Sequence, residues 1–223
     1  MQIQTTVLSN IVRTTSVRSV KVAKPRNVSF LAGQFFKVYS KDGFRYLSVS
    51  CSPQRNYLEF TKKITQSEFS LWFTSLKKGD KLIIDGPYGK FTLDPDDRKI
   101  LFIAGGIGIT PIFSMLENAV ILKDERDYTL FYGNKNANDI PFHTELQEFA
   151  SRIHLKIFMF LEQEKQNCYH GYIEIQKIQE LLPDVINRTV FICGPTAMVE
   201  KLHSDAKKFK VAEKIKIEKL IGY

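Results

Sequence analysis

The sequence predicts two domains in series: an antiparallel β-barrel over residues 1–96, then an α/β domain with a five-stranded parallel sheet over residues 97–223. Three observations carry this. The first part is made of short stretches rich in Val, Thr and Ile with polar residues interspersed, the pattern of strands with one wet face. After Pro95, strand-like and helix-like stretches alternate, which calls for crossover connections and a mostly parallel sheet. Between the first of those strands and its helix stands a glycine-rich turn, AGGIGITP at 104–111.

In the first part, strands are expected within 5–23 and over 33–40, 46–50 and 56–64, with turns at Gly33, Lys41-Asp42-Gly43 and Ser52-Pro53. SEFSLWFTSL, 67–76, breaks that rhythm. Phe69, Trp72, Phe73 and Leu76 recur at helical spacing, and Ser67 or a neighbour is placed to cap the start. KLIIDG then returns to strand. In the second part, strands are expected at 99–104, 128–132, 154–160, 189–193 and 214–220, with helices near 111–122, 141–151, 174–182 and 196–209.

Composition excludes several classes. The apolar stretch at 100–113 is too short and too glycine-rich to span a bilayer. Arg13, Arg18, Lys21 and Lys24 interrupt the start, so no signal peptide is expected, which favours the cytoplasm and leaves peripheral attachment open. Cys51, Cys168 and Cys193 form no CxxC pair, zinc arrangement or iron–sulfur run, and the four histidines lack metal spacing, so no metal site is expected. The net charge of +8 lies wholly in residues 1–96, with 15 Lys or Arg against 7 Asp or Glu; residues 97–223 carry 17 of each. A one-sided positive field steers an anionic partner. The basic residues are scattered through strands without a nucleic-acid motif, which excludes nucleic acid.

In the turn, Gly105, Gly106 and Gly108 permit backbone angles and close approaches that side chains prevent. Pro111 stands near the start of a helix, where an amide hydrogen is dispensable. A strand, a tight turn and a helix N-terminus suit a pyrophosphate. The alternative is a turn required only for close helix–sheet packing. Cys193-Gly194-Pro195 ends a later strand and opens a helix containing Met198. Ligands of open parallel sheets collect at the carboxyl ends of strands, so Cys193 falls at the same edge as Gly106.

FRYLSVS (44–50), SEFSLW (67–72), AGGIGITP and CGPTAM (193–198), in this order, resemble the motifs of the ferredoxin–NADP reductase superfamily. Its members join an FAD-binding barrel to a pyridine-nucleotide domain, and the resemblance covers nearly the whole chain. It implies that Arg45 binds the FAD pyrophosphate, that Ser48 bonds near flavin N5, and that Tyr46, Leu47 and Val49 line the flavin. Leu47 stands where the family has a ring-stacking tyrosine. The backbone of Phe69 and Ser70 is implied at the pyrophosphate. Thr110 and Cys193 are implied beside the nicotinamide, with Gly194, Pro195 and Met198 around it. YGNKNANDIPFHTEL (132–146) resembles the family's segment near the adenosine ribose, through Gly133 and Lys135. Lys135 leans towards NADPH, although relatives with such segments use either nucleotide. Glu218 matches an acidic residue near the reacting rings. Tyr223 either folds over the flavin or is an exposed terminus.

The resemblance therefore implies an enzyme passing hydride from NADPH or NADH to FAD, then electrons to an acidic carrier protein such as ferredoxin or flavodoxin. The alternatives are a flavin reductase releasing reduced free flavin, a reductase subunit of a larger complex, and a non-catalytic regulatory subunit.

Overall fold

A computed structural model describes residues 2–163 and 168–220. The chain divides into two compact units, Met1–Thr92 with Thr110–Ile121, and Leu93–Ile109 with Leu122–Tyr223.

The first unit is a six-stranded antiparallel sheet. Its strands are β1 (Gln2–Val12), β2 (Val17–Ala23), β3 (Phe35–Ser40), β4 (Gly43–Ser48), β5 (Tyr57–Lys63) and β6 (Lys81–Tyr88), in the order β4-β3-β6-β1-β2-β5. Alternation places one face in the core: Val20 pairs with Phe60 and Val22 with Leu58, and all four are essentially fully buried. The outer strands meet at one isolated antiparallel bridge, Val49 to Phe60, beside a 2.8 Å bond from the Ser50 amide to the Glu59 carbonyl. A continuous β4–β5 ladder closing the sheet is not among the described pairings.

Helix α1 (Glu68–Ser75) lies between β5 and β6. Ser67 caps it by accepting a bond from the Ser70 amide at 3.3 Å, which satisfies one of the free amides of the first turn. Phe69 and Phe73 bury its apolar face in the core. At the other end the Asn10 side-chain amide donates to the carbonyls of Phe73, Thr74 and Leu76 at 3.1, 3.1 and 3.0 Å.

Helix α2 (Ile109–Leu122) contributes its central residues to the same unit. The buried Glu117 carboxylate accepts from the Ser52 amide at 2.6 Å and from Arg55 Nη2 at 2.7 Å. Ser114 Oγ donates to the Cys51 carbonyl at 2.6 Å, and Ser52 Oγ donates to Asn118 Oδ1 at 2.8 Å.

The second unit is a parallel sheet of β7 (Lys99–Gly105), β8 (Asp127–Asn134), β9 (Leu155–Leu161), β10 (Tyr169–His170), β11 (Thr189–Pro195) and β12 (Ile215–Leu220). The order is β10-β9-β8-β7-β11-β12, with every neighbour parallel. The sheet thus has six strands among the described residues, which corrects the expected five. The extra strand, β10, is two residues long, too short to leave a hydrophobic period in the sequence. The helices α3 (His143–Ala150), α4 (Ile175–Leu181) and α5 (Thr196–Lys208) fall where the alternating rhythm places them. Leu101, Phe102, Ile103 and Ala104 are all fully buried, as a central parallel strand covered on both faces requires. No helix among the described residues is long and apolar enough to cross a membrane.

Candidate functional site

In the first unit, the predicted flavin-binding residues cluster at β4 and the start of α1. Arg45 is exposed, and its guanidinium carbon stands over the Phe69 ring, 5.6 Å from the centroid. Phe69 is the second residue of α1, so Arg45 lies beside the helix end whose free amides favour an anion. Ser70 is fully buried, and its hydroxyl is occupied locally, receiving the Thr65 amide at 3.2 Å. Ser48 is 7% exposed and Val49 is fully buried.

Leu47 belongs to the apolar core at 2% exposure. Its role in this structure is packing. The exposed aromatic surface beside it comes from its neighbour Tyr46, 55% exposed, which meets Phe35 and Phe44 edge-on with centroids 5.4 Å away in each case. Strand alternation explains the split: adjacent residues point to opposite faces.

In the second unit, the four glycines of the two turns have different tasks. A Cβ on Gly105 would meet Met198 Sδ at 2.5 Å, and one on Gly194 would meet Met198 Cε at 2.8 Å. One on Gly108 would run into the Cys193 carbonyl and lie 2.7 Å from Gly194 Cα. Gly108 lets the turn approach the backbone at the end of β11, while Gly105 and Gly194 leave room for the Met198 side chain. Gly106 is different: its φ is +51°, and a Cβ there would find open space. It sits in a short 3-10 turn, Gly106–Gly108, which intervenes between β7 and α2. Thr110, the second residue of α2 and the first of its residues that count with the first unit, is 3% exposed.

Tyr132, which the sequence did not single out for a role, holds this turn. Its hydroxyl lies within bonding distance of the Gly106 carbonyl at 3.2 Å and the Pro141 carbonyl at 3.4 Å. Full burial pushes the phenol well above its ordinary value, so it remains a donor. At the end of the same strand, Asn134 Nδ2 and Asn136 Oδ1 are buried without a hydrogen-bond partner among the described residues. They flank the exposed Lys135 and follow Gly133. Buried polar atoms left unpaired are costly, so orphans at the carboxyl edge of a parallel sheet fit a polar ligand that supplies the missing bonds. Neither asparagine stood out in the sequence, because orphan status is a property of packing.

Cys193 is fully buried, and Glu218 pairs with it in the parallel register of β11 and β12. Burial, then the nearby Glu218 charge, pushes the thiol well above its usual range. Burial also pushes the Glu218 carboxyl from 4.5 up to about 7. The pair is therefore a neutral thiol beside a carboxyl poised between its two forms near neutral pH. Pro195 ends β11, and the expected role of Tyr223 lies outside the described residues.

The residues present fit two dinucleotides. A guanidinium beside a capped helix start suits the pyrophosphate of FAD, and an open glycine turn with orphaned amides behind it suits a nicotinamide nucleotide.

The family model "Oxidoreductase NAD-binding domain" matches residues 102–204. The glycine betaine monooxygenase reductase subunit of Pseudomonas aeruginosa is 30% identical over 207 residues, covering 81% of this chain and 57% of that protein. The chain thus spans little more than half the length of that curated relative. In fold, it resembles the cytochrome P450 reductase GcoB of Amycolatopsis, with a TM-score of 0.87 at 23% identity over 99% of this chain and 70% of that one. It also resembles a ferredoxin NADP+ reductase from Neisseria gonorrhoeae solved with FAD and NADP, with a TM-score of 0.82 at 18% identity over 98% of each chain.

Proposed function

Since the chain belongs to the ferredoxin-reductase-like superfamily of FAD- and NAD(P)H-dependent oxidoreductases, we propose that it is the reductase component of a multi-component redox system. In this reading it draws electrons from NADH or NADPH and delivers them to a partner protein. The observation that carries it is the carboxyl edge of the parallel sheet, where Gly106, unlike Gly105 and Gly108 of the same turn, is open to a ligand. The likeness to an oxygenase reductase subunit favours a partner within such a complex over a freely diffusing ferredoxin or flavodoxin.

FAD, when bound, supplies a two-electron acceptor that releases electrons one at a time. The chain's residues bind and orient. Arg45 and the first-turn amides of α1 grip a pyrophosphate, and Ser48 offers a hydroxyl to the flavin. Gly106 admits the nucleotide pyrophosphate close to the backbone, while Tyr132 keeps the Gly106 carbonyl turned away from that anion. Asn134, Lys135 and Asn136 border the ribose, and Gly133, which packs against Ile173, precedes them. Thr110 and Cys193 border the nicotinamide, and Glu218 holds a proton on its carboxyl at or below neutral pH. The excess of +8 in residues 1–96 steers an acidic partner.

A second reading, release of reduced free flavin, is favoured by Leu47. A side chain committed to the core cannot stack on a flavin ring as a tyrosine does.

The deciding experiment is the visible spectrum of the purified protein, followed by separate anaerobic titrations with NADH and NADPH. A flavin spectrum bleached by one nucleotide is expected. Flavin retained through gel filtration, with salt-sensitive electron delivery to an acidic protein, supports the reductase component; flavin lost on the column supports the free-flavin reading. Colourless protein that oxidises neither nucleotide when given FAD overturns both.

A further inference from the structure

Helix α2 is apolar along most of its length, yet one of its stripes is polar. Thr110, Ser114, Glu117 and Asn118 recur at the i, i+4, i+7 and i+8 spacing of a single helical face. Three of them bond to the connection between β4 and β5. Ser114 Oγ donates to the Cys51 carbonyl at 2.6 Å, Glu117 Oε2 accepts the Ser52 amide at 2.6 Å, and Asn118 Oδ1 accepts from Ser52 Oγ at 2.8 Å. The other Glu117 oxygen accepts from Arg55 Nε and Nη2 at 3.1 and 2.7 Å. Ser114, Glu117, Cys51 and Ser52 are all buried.

The connection is anchored on its other side as well. Val49 bridges to Phe60, and the Ser50 amide donates to the Glu59 carbonyl at 2.8 Å. It runs on directly from Ser48, the last residue of β4. In α2, Thr110 stands one turn before Ser114 on the same stripe. Ser48, Thr110 and every member of this clasp belong to the first unit.

A buried carboxylate is costly to keep, and apolar side chains would pack the helix against this connection without one. Apolar contact is non-directional and tolerates small slides and rotations. Hydrogen bonds to a backbone amide and a backbone carbonyl fix one register. We infer that Glu117 is a positioning residue for hydride transfer. Together with Ser114 it holds Thr110, which borders the nicotinamide in the proposed function, at a set place relative to Ser48, which meets the flavin. This rests on the proposed function and deepens it, naming residues that lie outside its motifs. The requirement is one of reach and not of charge: glutamine can still accept the Ser52 amide, whereas aspartate keeps the charge and is one methylene too short.

The test is anaerobic stopped-flow reduction of the flavin-loaded full chain by saturating NADH and NADPH, each also deuterated at the transferred position. Separate titrations give FAD and nucleotide affinities, and a thermal scan gives the unfolding midpoint. The variants are Glu117→Asp, Glu117→Gln, Ser114→Ala and a control, Thr189→Val. The control removes a 2.8 Å bond to Asp97 at the amino end of β11, in the second unit.

Glu117→Asp is expected to slow flavin reduction by roughly ten- to a hundredfold, the scale of a small misplacement of reacting groups. Its isotope effect should grow, because transfer itself then limits the rate, while the amplitude and both affinities stay at wild-type values. Glu117→Gln should keep a rate near that of the wild type, and Ser114→Ala should fall between the two. Thr189→Val should lose thermal midpoint without losing rate. If the aspartate variant does not fold, the Ser114→Ala rate decides. A wild-type rate in the folded aspartate or alanine variant, an equal loss in Glu117→Gln and Glu117→Asp, or a slowing of Thr189→Val in step with its midpoint overturns the positioning role and leaves the proposed function standing. A wild type whose flavin neither nucleotide bleaches overturns both.

Discussion

Cys193 stands directly opposite Glu218 in the parallel register of β11 and β12, a thiol with no solvent exposure beside a carboxyl shifted to about 7. Burial disfavours the ionised form of both, and the Glu218 charge further disfavours the thiolate. The pair therefore has pH behaviour that ordinary surface residues lack.

For Glu218 the sign follows from the raised value. Below 4.5 the carboxyl is protonated in folded and unfolded chains alike, and its contribution is fully present. Between 4.5 and about 7 the unfolded chain ionises while the folded one retains the proton, so stability is lost as pH rises through this window. Glu218→Gln, which cannot ionise, is expected to gain on the wild type in urea midpoint across that window and to hold a constant lead above it. A pH-independent difference would show an unshifted carboxyl.

Cys193→Ala is expected to slow flavin reduction by NAD(P)H by roughly ten- to a hundredfold, the scale of a small misplacement of reacting groups. Flavin retention should be little changed, because the residue lies in the other unit from Arg45. Stopped-flow absorbance gives the rate, and a wild-type rate would remove Cys193 from the nicotinamide site.

Alkylation reports the three thiols separately. Cys51 and Cys193 are buried, and Cys168 is partly exposed. Burial also pushes the Cys51 thiol upward, so little reactive thiolate forms there. Iodoacetamide on folded protein is expected to label Cys168 well ahead of the other two, as peptide mass spectrometry will show; equal labelling would indicate a looser fold.

Two glycine substitutions separate packing from binding. Gly108→Ala drives a methyl into the Cys193 backbone and should give poorly folded protein. Gly106→Ala meets no neighbour and bears only left-handed strain, about 1–2 kcal/mol. It should fold, with a modestly lowered unfolding midpoint, and lose nucleotide affinity in a binding titration. Unchanged affinity would place the pyrophosphate elsewhere.

Glu117→Ala leaves the buried Ser52 amide without its 2.6 Å acceptor and frees Arg55. A loss of about 1–3 kcal/mol is expected from the desolvated amide alone. Arg55→Ala should cost less, since that side chain is 43% exposed. Chemical denaturation of both variants checks the order.

The strands and helices, their antiparallel-then-parallel succession and the two glycine-bearing turns were determined by the sequence alone. These features come from local periods and from residues such as Gly106 and Ser67, whose backbone preferences act within a few positions. β10 escaped notice because two residues carry no period. What each turn glycine does, the orphaned side-chain amides of Asn134 and Asn136 and the Tyr132 clasp on Gly106 were decided only by tertiary structure. Each depends on what another strand or helix brings within a few ångströms, and spacing along the chain has no access to that distance.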